Sequence, residues 1–458
     1  MAALRALIAD IHHPSNPFVN SNEVSRHFHP YWVGMAALAR LFGWTVDGTI
    51  AVASFLSLSV LSLGYFLFGR SYFRSEWGPF ALLLTSMLAW SFPISHTGYA
   101  NIPTMVEGAA YPAALLVGLS LILWALIIES FERPLLIIPI PFLAAFMFAT
   151  HQLGAGLGFI VASCLIIGWP VKGLAKRVHL VLALALGLGL SSYWPYFNPF
   201  EAVLRAGNPT WENGIDWYSP LFLMGIFVPS AIGILGLVKP CQPGTGRPLL
   251  LALPILLFGF VAGAFGFMTG TRFAPTAALI LQVGLAAMLV RFLEQPQAHG
   301  ERFRLIAVCT IFATLLFQII ALGFILYPKE YAGQKRYGSV VAEGATLTSD
   351  IPDSEEVAAF DVAAWPLVGQ GQRTLSVPWP EPYIGDLSGR QAKVEQLFNV
   401  WISKDERIAL AKRYGVRTLI LDQRFGSGKG WRGWQLRVLL KQAKSSKRAG
   451  PMWRFDLY

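Results

Sequence analysis

Between residues 47 and 327 one apolar stretch follows another, and almost no charge interrupts them. A helix needs roughly 20 apolar residues to cross the hydrocarbon core of a bilayer. Ten stretches meet or approach that length: about 47–69, 77–95, 111–131, 134–150, 152–170, 178–196, 218–238, 249–269, 273–293 and 305–327. The whole chain is only 14% charged, against about 25% in soluble domains. Residues 328–458 have an ordinary soluble composition, so the deficit lies upstream of them. The sequence predicts a mainly α protein, a polytopic transmembrane bundle of about ten spans with a small C-terminal extracytoplasmic α/β domain. It divides at 1–46, 47–327 and 328–458.

Loop charge sets the orientation. Alternate loops carry Arg70, Arg74, Arg133, Lys172, Lys176, Arg177, Lys239, Arg247, Arg291, Arg302 and Arg304, while the opposite loops carry only Arg205 and Arg272. The basic set is cytoplasmic by the positive-inside rule. Residues 328–458 then lie outside a plasma (inner) membrane, and residues 1–46 begin outside. No basic, apolar leader opens the chain. One further spanning helix upstream of Met1 is therefore expected. Residues 31–44, interrupted by Arg40, are expected to form a helix lying on the outer surface.

Polar groups at membrane depth and in outer loops are costly to keep and are functional candidates by default. The first outer segment holds Asp10, His12, His13, Glu23, Arg26, His27 and His29. The loop 96–112 holds His96, Tyr99, Asn101, Glu107 and Tyr111, without Lys or Arg. His151 stands at the next outer turn, and Arg272 in the last outer loop. The bland readings are a helix-dipole acid for Glu107, a lipid-facing cation for Arg272 and interhelical hydrogen bonds for His96 and His151. The histidine spacing matches no zinc signature. Outer carboxylates are oxygen donors of the kind that suit Mg2+ or Mn2+. The cysteines, Cys164, Cys241 and Cys309, form no disulfide framework.

Three stretches carry a resemblance. They are His29-Pro30-Tyr31-Trp32 leading into Leu41-Phe42-Gly43, Ser192-Tyr193-Trp194-Pro195-Tyr196-Phe197 and Gly270-Thr271-Arg272-Phe273. A fourth, Lys412-Arg413-Tyr414-Gly415-Val416-Arg417, precedes a strand that ends at Asp422. With the overall layout, the chain resembles the GT-C superfamily of polytopic membrane glycosyltransferases. The resemblance implies transfer of a sugar from a polyprenyl-phosphate donor to an extracytoplasmic glycan, lipid or protein acceptor. It implies catalytic acids in the first two outer loops, Asp10 and Glu107. Arg272 would hold the phosphate, and His96, Tyr99 and His151 the rest of the substrate. Such enzymes carry their acid directly after the first spanning helix, a position that falls at or before Met1 here. A lipid or polysaccharide flippase, or a non-catalytic assembly subunit, is the alternative. The nearly charge-free middles of the spans and the lack of a repeat disfavour ion-coupled transport.

Two glycine-rich motifs are discounted. Gly154-Ala155-Gly156-Leu157-Gly158 lies within a span and is expected to pack helices closely. Gly426-Ser427-Gly428-Lys429-Gly430 has no Ser or Thr where a P-loop needs one. The C-terminal domain has 20 Lys and Arg against 14 Asp and Glu, and its outer location argues against a nucleic-acid partner. A capping box at Ser403, a helix to Tyr414 ended by Gly415, strands at 357–362, 374–377, 416–421 and 452–458, and a basic helix over 431–445 make it α/β. Trp365, Trp379, Tyr383, Trp401, Trp431, Trp434 and Trp453 are its candidates for core or for sugar stacking.

Overall fold

The computed structural model describes the chain except residues 22, 91–100, 103–104, 106–107, 172, 206–217, 219, 267–269, 295–315, 317–319, 321–336, 353–354, 379–380 and 424–432. The helices in chain order are α1 (Ala2–Ala9), α2 (Pro30–Phe42), α3 (Val46–Phe73), α4 (Gly78–Leu88), α5 (Pro112–Ser130), α6 (Pro139–Thr150), α7 (Gln152–Gly168), α8 (Leu174–Ser191), α9 (Pro199–Arg205), α10 (Pro220–Ala231), α11 (Gly233–Val238), α12 (Arg247–Ala264) and α13 (Phe273–Glu294). Then come α14 (Tyr337–Thr348), β1 (Ala358–Ala359), α15 (Ala364–Gln370), α16 (Leu387–Phe398), α17 (Lys404–Tyr414), β2 (Thr418–Asp422), α18 (Gly433–Gln442), β3 (Ser445–Ala449) and β4 (Met452–Asp456). The chain forms two compact units: residues 50–203 with 208–327, and residues 1–49 and 328–458 with the short stretch 204–207.

Among the described residues, five helices are long and apolar enough to cross a membrane: Val46–Phe73, Pro112–Ser130, Leu174–Ser191, Arg247–Ala264 and Gly270–Glu294. Gly78–Leu88, Pro134–Thr150 and Gln152–Gly168 are apolar but shorter. The expected span 218–238 is divided into α10 and α11, with Pro229 in the last turn of α10. The expected span 305–327 lies outside the described residues apart from 316 and 320.

Lipid is as apolar as leucine, so helices in it hold together by close packing and polar contacts rather than by hydrophobic burial. Both occur here. A Cβ on Gly118 of α5 would stand 2.7 Å from the backbone of Leu61 on α3. Gly233 and Gly236 of α11 lie so close to α13 that a Cβ on either would collide with a carbonyl of Leu281 or Gly284. Gly158 of α7 lies against Ser120 of α5, whereas Gly156 faces open space. Trp124 Nε1 donates to Gly158 O at 2.9 Å across the same pair. Between α4 and α13, Thr85 Oγ1 donates to Gln282 O at 3.0 Å, and Gln282 Nε2 donates to Ala89 O at 3.4 Å.

Basic residues gather at helix C-termini, where the dipole is negative and the last carbonyls lack partners. Arg177 donates to the carbonyls of Ile167, Trp169 and Val171 at the end of α7. Lys176 Nζ donates to Phe131 O at 2.6 Å at the end of α5. Arg74 pairs with Glu129 at 3.3 Å and Glu132 at 2.8 Å.

The second unit is built on a four-stranded sheet of order β1-β2-β4-β3, with β1 parallel to β2 and the other pairs antiparallel. β2 is buried throughout, as the apolar run 416–421 predicts. Ser403 Oγ accepts from Glu406 N at 3.2 Å, and Gly415 closes α17 in the left-handed region at φ +71°. The basic helix expected over 431–445 is shorter. It ends at Gln442, and Ser445–Ala449 form edge strand β3 instead. Ser-Ser-Lys-Arg-Ala has little strand propensity; pairing with β4 imposes the conformation, and exposed Lys447 and Arg448 guard the edge. The strand expected over 357–362 shrinks to Ala358–Ala359, because Asp361 turns to φ +50°. Only Thr374 of the expected strand 374–377 makes a bridge, to Val357.

Residues near the N-terminus join this core. Ala2, Phe18 and Val19 pack in one cluster with Leu347, Val357, Ile420 and Met452. Thr374 N donates to Phe18 O at 2.9 Å. α2 is capped by His29, whose Nδ1 accepts from Trp32 N at 3.4 Å, and by left-handed Gly43. It buries Tyr31, Trp32, Met35, Ala36 and Ala39.

Candidate functional site

Three helices of the membrane unit begin around one cavity. α5 contributes Ala113 and Leu116, α7 contributes Leu153 and Gly154, and α13 contributes Pro275 and Thr276. His151 and Arg272, the residues that directly precede α7 and α13, line it as well. The cavity measures about 60 Å3. Its lining continues along α5 to Trp124, about 16 Å of helix rise beyond Ala113. Away from His151 and Arg272 it is lined largely by apolar groups, among them Val117, Leu157 and Leu279.

Sequence forces each of these starts. Pro112 opens α5 with the φ its ring already holds. His151 ends α6 and caps α7, and its extended backbone breaks one helix from the next. Its Nδ1 accepts from Gly154 N at 3.0 Å, so a neutral ring carries its proton on Nε2. Gly154 fits because a Cβ there would stand 3.1 Å from that same Nδ1. Arg272 closes the 3-10 turn Gly270–Arg272. That turn runs against α12: a Cβ on Gly270 would stand 2.6 Å from Phe260 O and from Tyr218 Oη.

Among the described lining residues Arg272 is the charged one, and it is a cation. A helix N-terminus behaves as roughly half a positive charge. Three helices begin at the cavity, with Arg272 and His151 in its lining, a set of groups that suits an anion with an apolar remainder. Tyr111 meets His151 edge to face, with ring centroids 6.4 Å apart.

The remaining sequence candidates divide in two. His96, Tyr99 and Glu107 lie outside the described residues, as does Gly426–Gly430. Asp10 belongs to the other unit, exposed at the C-terminal end of α1. Its Oδ1 accepts the backbone N–H groups of His12 at 3.0 Å and His13 at 3.1 Å. These hydrogen bonds hold the carboxyl below its usual pKa and keep it ionised. That suits an electrostatic partner or cation ligand better than a strong base. His29 is used as a helix cap. Among the described residues no three His, Cys, Asp or Glu side chains gather as a metal site would need.

Sequence reading missed one ionisable cluster. Glu381, 2% exposed, sits under the 23–27 segment. Its Oε2 is 3.4 Å from His27 Nε2 and 3.9 Å from Arg26 Nε, and Arg26 N donates to its Oε1 at 3.4 Å. Burial pushes its pKa up to about 7, against the opposing pull of Arg26. Gly385 N donates to Glu23 Oε1 at 2.9 Å, a second tie between the same segments. The only sequence cue was an acid between two prolines, Pro380-Glu381-Pro382.

No family model and no curated protein matches the chain. Among solved structures it is similar to a cryo-EM structure of a mutant of the arabinofuranosyltransferase AftD from Mycobacteria. The TM-score is 0.55 at 17% identity, over 91% of this chain and 33% of that one. The chain therefore spans about a third of that protein's length. It also matches the archaeal oligosaccharyltransferase AglB from Archaeoglobus fulgidus, solved with an inhibitory peptide and a dolichol-phosphate. There the TM-score is 0.42 at 14% identity, over 92% of this chain and 65% of that one. The apolar helices and the likeness to AftD show that this chain shares the fold of the matching part of that membrane protein.

Proposed function

We propose that this protein is a membrane glycosyltransferase. It takes a sugar from a polyprenyl-phosphate donor and delivers it to an acceptor on the extracytoplasmic side of the plasma membrane. The observation that carries the reading is the meeting of Arg272 and His151 at three helix starts, above an apolar lining. The fold likeness to AftD supports the reaction class.

Charge explains why this arrangement suits the reaction. A polyprenyl-phosphate sugar is a phosphodiester with one negative charge. When the bond between the anomeric carbon and the phosphate oxygen breaks, its electron pair stays on the phosphate. The leaving monoester then carries nearly two charges. Arg272, the His151 Nε2–H and the helix dipoles attract that growing charge more than the ground-state charge, which is the condition for catalysis. The acceptor oxygen bonds to the anomeric carbon and loses its proton to a carboxylate. We assign that role to Glu107, five residues before the first turn of α5. Asp10 would hold an acceptor or a cation, because its carboxyl is kept ionised. His96 and Tyr99 would contact the sugar. Mg2+ or Mn2+ would have to be held by outer carboxylates.

The test is transfer of radiolabelled sugar from a panel of polyprenyl-phosphate donors, in membranes holding the protein. Transfer that is lost in Arg272→Ala and Glu107→Gln, with both variants folded, supports the reading. A folded protein that transfers from no donor but moves lipid between leaflets would replace it with the flippase reading.

A further inference from the structure

Among the described residues of 337–458, the large apolar side chains left exposed are all tryptophans: Trp365, Trp401 and Trp434. Two of them form a pair. Trp401 and Trp434 have ring centroids 5.5 Å apart and planes inclined at 48°, and Trp401 is 82% exposed. Leaving an indole in water forfeits the gain its burial would bring.

The backbone beneath Trp401 is held firmly. Arg407, fully buried, donates Nη2–H to Asn399 O at 2.8 Å and Nη1–H to Leu397 O, and its Nε–H goes to Gln442 Oε1 at 2.6 Å. Gln442 in turn donates to Ile402 O at 2.9 Å. Asn399 Oδ1 accepts from Trp401 N at 3.0 Å. Gln442 lies on α18, the helix that carries Trp434. One hydrogen-bond network, centred on buried Arg407, thus ties the loop that presents the first indole to the helix that presents the second. An exposed ring on a fixed support loses little entropy on binding, which is the property of a recognition platform.

We infer that Trp401 and Trp434 form a binding site for a neutral glycan, whose apolar sugar faces stack on the two indoles. The surroundings favour that occupant. Asn399, Ser403, Lys404, Asp405 and Glu406, beside Trp401 in the chain, are all exposed. They offer hydrogen-bond donors and acceptors for hydroxyl groups. Among the described residues no other large apolar side chain beside the pair is exposed, as a protein interface core would require. The site does not depend on the transfer reaction, since a chain without that activity would still bind glycan here.

The experiment titrates the full chain in nanodiscs with a panel of neutral hexasaccharides, some built of furanose and some of pyranose sugars. Saturation-transfer NMR and calorimetry read binding. We expect a dissociation constant of about 1 mM or tighter for at least one member, weakened about tenfold or more in Trp401→Ala and in Trp434→Ala. Trp401→Phe, which keeps a stacking face, should recover part of it. Circular dichroism confirms that each variant is folded. A wild-type chain that binds no member overturns the inference, and so does binding that both alanine variants retain. A fluorotryptophan signal from Trp401 that is broadened by spin-labelled lipid in the nanodisc also overturns it, because the pair would then be a bilayer anchor.

Discussion

His151 Nδ1 accepts the backbone N–H of Gly154 at 3.0 Å, so the imidazole that lines the cavity beside Arg272 also closes the first turn of α7. The two roles separate by substitution. Asn is a good N-cap and should replace the Nδ1 acceptor, whereas Ala should cost about 1 kcal/mol of stability. Neither supplies the imidazole N–H. We expect His151→Asn to unfold at nearly the wild-type temperature and still lose about tenfold or more in transfer rate. A rate equal to wild type in the Asn variant would reduce His151 to a helix cap.

Arg272→Ala is expected to lower kcat by about 100- to 1000-fold, the usual effect of removing one donor aimed at developing charge. Arg272→Lys keeps the charge and loses the planar fork, so it should recover only part of the rate. Steady-state kinetics with a water-soluble donor analogue would check both. A variant that raises KM and leaves kcat alone would make Arg272 a ground-state contact only.

Asp10→Asn keeps an oxygen that can accept from His12 N and His13 N, so the turn after α1 should survive. If Asp10 works through its charge, transfer should fall by more than tenfold with thermal stability unchanged. Equal activity would leave Asp10 as a turn-former.

Glu381 should make the stability of its unit pH-dependent. Its folded pKa of about 7 lies above the ordinary 4.5, so the folded state holds a proton that the unfolded state releases. Stability from this group is greatest below pH 4.5 and declines as pH rises from 4.5 through 7, by roughly 3 kcal/mol in all. Other carboxyls act oppositely at lower pH. Asp350, Asp456 and Asp10 have lowered pKa values and lose their contribution as pH falls through them. The diagnostic is therefore the difference between wild type and Glu381→Gln in thermal melts from pH 5 to 8. Gln should be relatively more stable at pH 8 than at pH 5, and parallel melting curves would count against a buried, neutral Glu381.

Gly118→Ala places a methyl 2.7 Å from the backbone of Leu61 and should push α3 away from α5. We expect a loss of about 1–3 kcal/mol, read from denaturant unfolding in detergent. Gly156→Ala on α7, where a Cβ meets nothing within 4 Å, is the matched control.

What the sequence determined by itself was whatever depends on neighbours along the chain. Apolar run length marks the long helices. The Ser403 and Gly415 caps bound α17, because a cap needs only the residues within one turn. His151 and Arg272 could be singled out because polar groups beside long apolar runs stand out in any reading. Their meeting in one cavity could not be read. It depends on how α5, α7 and α13 cross, and that is set by contacts at single small residues such as Gly158 against Ser120. The same holds for β3, a strand only because β4 lies beside it, and for Phe18 and Val19, which join a core formed mostly by residues more than 300 positions away. Glu381 looks like any loop acid until the 23–27 segment covers it. Burial is a property of the packed structure, and burial is what raises its pKa.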